Sequence, residues 1–274
     1  MISSDGLDTG LTGGVSGGPE DPAGEGATLR YDGFLGGRLR IAQPVGGYLA
    51  GADPVMLAAS CPAQPGESVL ELGCGAGVAL LCLGWRVKGL ALSGLELQEN
   101  YADLARQNAQ ANGLSAEIVT GDLADMPLVL RQRSFDHVIA NPPYFLGGTP
   151  APDLGRGTAR HEATALDLWI STALKRLKPK GWLTLIQRAD RLSEVLCALS
   201  PHAGAVTVLP VAARHGRDAG RIIVTARKGA RTPLRLLAPF VMHEKSEHLQ
   251  DGEDLSAEAQ AVLREGAALV HPDA

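Results

Sequence analysis

The chain has 274 residues, 45% hydrophobic but only 4% aromatic, which is ample for one large α/β core with extensions. No run of eighteen apolar residues occurs, so no membrane-spanning helix is predicted. The net charge of −5 is uneven: residues 1–28 hold five acids and no Lys or Arg, residues 243–274 hold eight acids against two bases, and residues 29–242 hold 23 bases against 17 acids.

In chain order, residues 1–27 read as a disordered leader, rich in Gly and acids with little to bury. They lack the basic and apolar regions of a secretory signal. Residues 28–60 predict a hairpin and a helix, the latter within "GGYLAGADPVMLAA" (46–59). From 61 to 230 short apolar runs alternate with helical segments. Strands are predicted over 68–72, 89–97, 116–122, 135–141, 181–187, 205–211 and 221–227. Helices are predicted over 77–87, 98–113, 165–179 and 191–200, with stop signals at "NG" (112–113), "KPKG" (178–181) and "SP" (200–201). This alternation implies a doubly wound, Rossmann-like α/β sheet of seven strands, mostly parallel, with an antiparallel strand at one edge. Residues 231–274 form an extension with one strand and one helix. Cys61, Cys74, Cys82 and Cys197 have neither CxxC pairing nor metal-ligand spacing and read as buried, reduced thiols of a cytoplasmic protein. No metal site is predicted, and His243 and His248 lack a convincing geometry for one.

"VLELGCGAG" (69–77) places Glu71, Gly73, Gly75 and Gly77 at a strand-to-helix turn, where a glycine-rich backbone approaches a ligand and a helix N-terminus faces an anion. The G-x-G-x-G spacing departs from a dinucleotide fingerprint, since Val78 stands where the third glycine belongs. Glu96 ends the next strand, where doubly wound folds place a carboxylate that accepts from ribose hydroxyls. Asp122, followed by Leu123, ends the third, placed to accept from an adenine amine.

"ANPPYF" (140–145) ends the fourth strand on an amide, two prolines and a ring. An exocyclic or carboxamide nitrogen is a poor nucleophile because its lone pair is delocalised. Two acceptors taking both N–H protons draw that lone pair toward a methyl donor. The side-chain oxygen of Asn141 and the carbonyl of Pro142 supply such a pair, and the prolines fix φ and remove competing donors. Tyr144 offers a flat face for a flipped base.

With both motifs in place, the chain resembles the class I S-adenosylmethionine-dependent methyltransferases that carry NPPY and methylate amines. Within them it is most similar to the bacterial tRNA adenine methyltransferases that modify an anticodon-loop adenine of tRNA-Val, on the strength of "GGYLAGADPVMLAA" and of "RHE" (160–162). The resemblance implies that Gly73, Gly75 and Gly77 line S-adenosylmethionine, that Glu96 binds its ribose and Asp122 its adenine, and that Asp53 closes over its methionine end. It also implies that Asn141, Pro142 and Tyr144 hold the target amine. Release-factor glutamine methyltransferases and guanine-amine methyltransferases of ribosomal RNA share the motif. The former usually carry a helical domain before the core, for which residues 28–60 are too few. An NAD-binding oxidoreductase is a distant alternative that lacks its third glycine. RNA is the implied partner, with phosphate contacts from Arg214, Arg217, Arg227, Lys228 and Arg231 in the basic stretch 214–235.

Overall fold

The computed structural model describes residues 28–46, 49–144, 165–244 and 254–269. The leader, "RHE" (160–162) and His248 therefore lie outside the described residues. An antiparallel hairpin, β1 (Leu29–Phe34) and β2 (Leu39–Pro44), leads to helix α1 (Ala52–Ser60). The core then alternates β3 (Ser68–Leu72), α2 (Val78–Arg86), β4 (Ala91–Glu96), α3 (Glu99–Ala111), β5 (Ala116–Thr120), α4 (Leu128–Arg131) and β6 (Phe135–Ala140). It continues through α5 (Leu166–Arg176), β7 (Leu177–Arg188), α6 (Leu192–Leu199), β8 (Ala203–Arg214) and β9 (Ala219–Lys228). Two short strands, β10 (Arg235–Leu236) and β11 (Phe240–His243), and helix α7 (Ala257–Gln260) complete it.

The main sheet runs β10-β8-β9-β7-β6-β3-β4-β5, with β11 also paired to β8. The seven predicted core strands are all present, and the extension adds two short ones where one was predicted. β9 is antiparallel to both of its neighbours and lies between β7 and β8, the last of the seven core strands on that side, outside which the short β10 and β11 pair. The remaining core strands are parallel. Successive connections wind one way from β3 through β4 to β5 and the other way from β6, so the strand order reverses between β3 and β6. Ligands of open α/β sheets bind at this switch, beyond the strands' carboxyl ends.

Two apolar layers cover the sheet. One packs the hairpin, α1, α2, α3 and the C-terminal extension on one face; the other packs α4, α5 and α6 on the opposite face. Val69, Leu70 and Leu72 of β3 are all fully buried, because the central strand is covered on both sides. Each such Leu contributes roughly 1.5–3 kcal/mol. In α3 the buried set Tyr101, Ala102, Leu104, Ala105, Asn108 and Ala109 keeps the 3.6-residue period. The helix ends where Gly113 turns left-handed (φ 65°) and the Leu114 N–H reaches the Ala109 carbonyl at 2.9 Å.

Asn108 is the polar exception on that stripe. Its amide donates to the carbonyls of Ala42 (3.0 Å) and Ala76 (2.9 Å) and accepts from the Ala42 N–H (2.8 Å). One side chain thus fastens the hairpin, the glycine loop and α3 together.

Two predictions need correction. "KPKG" does not separate helix from strand by a loop: β7 begins at Leu177, opposite Phe135, and passes through a register shift before Trp182 meets His137. Lys180 takes a positive φ of 64° at this irregularity, and a Cβ on Gly181 would come within 2.9 Å of the Asp136 carbonyl oxygen. Of the four thiols, Cys197 is exposed, since it falls on the outer face of α6; the other three are buried.

Candidate active site

The glycine loop leaves β3 at Leu72 and Asn141 follows Ala140 of β6, and these two strand ends are register partners. The two motifs therefore face each other across the switch point.

On the glycine side, Gly73, Gly75 and Gly77 all have positive φ (64°, 53° and 87°), which L side chains reach only with strain. Their surroundings differ. A Cβ on Gly75 would meet nothing within 4 Å, so no protein packing demands the glycine there, and the loop opens to a ligand. A Cβ on Gly77 would stand 3.3 Å from the Ala105 Cβ, so this glycine serves the packing of α2 against α3. Glu96, 4% exposed, accepts from the Gly75 N–H through Oε2 (2.8 Å) and from the Gln98 N–H through Oε1 (2.9 Å). Glu71, also buried, accepts from the Leu80 N–H in the first turn of α2 (2.9 Å). Burial holds its carboxyl well above the usual carboxylate range; the Leu80 N–H opposes this and the charge of Glu96 adds to it. Asp122 accepts from the Ala124 N–H (2.8 Å), an Asx turn tied to β4 by the Gly121 N–H on the Glu96 carbonyl (2.8 Å). Leu123 is buried in the apolar layer that packs α4, α5 and α6.

On the other side, Asp53 lies in the first turn of α1 and does not cap it; Gly51 holds the N-cap position. Its Oδ2 instead accepts from the Tyr144 hydroxyl (2.6 Å) and from Arg221 Nε (3.0 Å). The Tyr144 hydroxyl also lies 2.9 Å from Asn141 Oδ1. With a single proton it donates to one acceptor at a time, and the closer, charged Asp53 is the stronger. The Arg221 guanidinium covers one face of the Tyr144 ring, 4.4 Å from its centroid. Burial opposes the charge on Arg221, yet Asp53 and Tyr144 outweigh it and raise its pKa above the ordinary guanidinium value. The Pro142 carbonyl accepts from Nε2 of Gln187 at 3.3 Å. Gln187 is fully buried, and its Oε1 accepts the Arg188 N–H (2.9 Å).

Gln187, Arg221 and Asn108 were not singled out in the sequence. Gln187 ends the predicted strand 181–187 and Arg221 begins the predicted strand 221–227, but neither stands in a motif.

The five basic side chains predicted to reach phosphates do not form one patch. Arg221 pairs with Arg188 at the carboxyl end of β7, whereas Arg227 pairs with Trp182, six residues earlier. At about 3.3 Å per residue this separates the two by roughly 20 Å. Arg214 and Arg217 share the site's end; Arg227, Lys228 and Arg231 lie at the other, where Ala203 meets Lys228 and Gly204 abuts Arg231. Arg214 is ion-paired with buried Asp254 (2.7 Å), Arg227 donates to the Lys180 carbonyl (3.0 Å) and Lys228 to the Leu177 carbonyl (2.7 Å). Arg217 and Arg231 are exposed. Among the described residues no cluster of His, Cys, Asp and Glu could hold a metal ion.

A doubly wound sheet with its glycine loop at the first switch-point turn is the Rossmann-like methyltransferase architecture. The chain belongs to the methyltransferase small domain family, whose model matches residues 54–214. It is 36% identical over 154 residues to a tRNA1(Val) (adenine(37)-N6)-methyltransferase of Porphyromonas gingivalis, covering 53% of this chain and 60% of that relative. It is 29% identical over 182 residues to the protein of the same name from Aeromonas hydrophila, covering 65% and 76%. A solved structure described as a predicted O-methyltransferase from Agrobacterium tumefaciens superposes with a TM-score of 0.65 at 26% identity, over 80% of this chain and 99% of that one.

Proposed function

We propose that this chain transfers a methyl group from S-adenosylmethionine to the exocyclic amine of an adenine in tRNA, with adenine 37 of tRNA1(Val), named for its relatives, as the target. The observation that carries the reading is the acceptor geometry. Asn141 and Pro142 directly follow β6 in succession, across the switch point from the open glycine loop, and the buried Gln187 donates to the Pro142 carbonyl. An enzyme acting on oxygen, such as the Agrobacterium structure's description suggests, has no use for two acceptors aimed at one NH2 group.

The site's chemistry fits the cofactor. Gly75 opens the loop to it, and the acids Glu71, Glu96 and Asp122 suit a ligand bearing an ammonium group, a ribose diol and an adenine amine. Gly73 and Gly75 would approach it, with Gly77 shaping the loop and Leu123 flanking the adenine. Bound there, S-adenosylmethionine supplies an electrophilic methyl carbon. The rest falls to this chain's own residues. Asn141 Oδ1 and the Pro142 carbonyl accept the two amine protons and turn the nitrogen lone pair out of conjugation. As positive charge grows on that nitrogen, the same two oxygens stabilise it, and the surplus proton leaves to water. Tyr144 stacks on the base. Asp53, bonded to the Tyr144 hydroxyl, acts on the acceptor side.

RNA phosphates would meet Arg217, exposed at the site's end, before Arg227, Lys228 or Arg231 at the far end. Incubating the chain with methyl-labelled cofactor and separate pools of tRNA, ribosomal RNA, DNA and release factor tests the reading. Label in tRNA adenine is the expected result; label only in release factor, or only in ribosomal RNA, overturns it.

A further inference from the structure

Arg221 belongs to no motif and lies in the body of a strand, yet it joins two segments remote from it. Its Nε–H reaches Asp53, 168 residues away, and its plane covers the Tyr144 ring. Asp53 and Tyr144 are bonded in turn, so guanidinium, carboxylate and phenol close a three-membered ring of contacts, each group touching the other two. The side chain is 36% exposed, so the contacts form in a partly desolvated setting.

We infer that Arg221 is a positioning residue for the acceptor, acting through Tyr144 and Asp53; this rests on the reading of residues 141–144 as the amine-holding loop. A tyrosine side chain has two soft torsions, and an aromatic that must align a base has to lose both. Asp53 fixes the hydroxyl, and the guanidinium fixes the ring face. The base then enters against the face turned away from Arg221 and completes a three-layer stack of cation, phenol and nucleobase. The hydroxyl also lies 2.9 Å from Asn141 Oδ1, so the clamp places the ring beside that amide. The role needs a planar cation: a guanidinium stacks on a ring while its Nε–H pairs a carboxylate at the edge, and a compact ammonium does not do both.

The test uses the full chain with Arg221→Ala, Arg221→Lys, Tyr144→Phe and the Arg221→Ala/Tyr144→Phe double variant, and an anticodon stem-loop of tRNA-Val as acceptor. Arg221→Ala is expected to lower kcat/KM for the RNA about thirtyfold or more, the loss that a misplaced reactant brings. S-adenosylmethionine affinity measured by calorimetry should stay within about twofold. Arg221→Lys should recover only part of the loss, and the double variant should be little worse than the more damaged single one, as expected of residues acting as a unit. A second readout needs no acceptor. In protein labelled at tyrosine Cζ, the Tyr144 resonance, assigned by its loss in Tyr144→Phe, should titrate at higher pH in Arg221→Ala, where the phenol keeps its carboxylate neighbour and loses its cation. An unmoved resonance together with unchanged kcat/KM overturns the inference, as does cofactor affinity that falls in step with activity. If the wild type methylates no RNA, the acceptor reading fails by itself, and the resonance still decides whether Arg221 holds Tyr144.

Discussion

Asn141 and Glu71 sit on either side of the switch point, and their chemistry separates the two halves of the site. Asn141 contacts Tyr144 and stands outside the glycine loop. Asn141→Ala is therefore expected to reduce kcat by about 10²–10³-fold, the loss that follows removal of one preorganised polar group. S-adenosylmethionine affinity should remain unchanged in calorimetry. Glu71 is buried with its carboxyl held above its usual value. The folded state thus binds this proton more tightly than the unfolded chain does, whose value is near 4.5. Stability without cofactor should fall as pH rises above about 4.5 until the raised value is passed. Glu71→Gln should flatten that slope and raise stability at neutral pH, as measured by urea unfolding across pH 4–8. These two residues were legible in the sequence because contiguous letters encode them: a carboxylate beside glycines, and an amide before two prolines. Gln187 and Arg221 were not. Each acts by where its strand lies in the sheet, and no local pattern of residues states which strand will be its neighbour.

At the level of elements, the glycine loop is one motif with two physical tasks. Gly75 opens onto space, and Gly77 turns the chain into α2 while letting Ala105 approach. Gly75→Ala should cost about 1 kcal/mol, the left-handed penalty alone, and weaken cofactor binding tenfold or more. Gly77→Ala should cost more, about 2 kcal/mol, because strain is joined by a contact that must give. Chemical denaturation and calorimetry with S-adenosylmethionine distinguish the two. Sequence spacing could not separate these glycines, since the partner of Gly77 comes from a helix 28 positions on. The start of β7 was misread for a related reason: "KPKG" looks like an end, but pairing with β6 carries the strand through an irregularity that propensity alone would forbid.

For the whole molecule, the doubly wound sheet was legible because its period of strand and helix is global. The position of β9 was not, and it decides how charge is distributed. The basic stretch 214–235 is contiguous in sequence, but β9 carries it from one end of the sheet to the other. Arg217→Ala should weaken tRNA binding and reduce the slope of log affinity against log salt by about one, whereas Arg227→Ala, stacked on Trp182 at the far end, should leave that slope unchanged. Filter binding between 50 and 200 mM salt, as order-of-magnitude limits, covers the relevant range. The acidic C-terminal segment does not simply hang beside this surface. Asp254 is paired with both Arg214 and His243 (2.8 Å), and β11 lies against β8, so part of its charge is neutralised within the fold.

The reversal of β9 also divides the protein's freedom to change. The glycine loop, Glu96 and Asp122 come from the first half of the sheet, whereas Tyr144 and Asp53 are braced by Arg221, on a strand arriving from the second half after a short turn at 215–218. Insertions or substitutions in that turn alter what stands at the mouth of the acceptor side without entering the glycine loop. A lineage of such chains could exchange one substrate for another by rewriting a hairpin, keeping its methyl-transfer machinery intact.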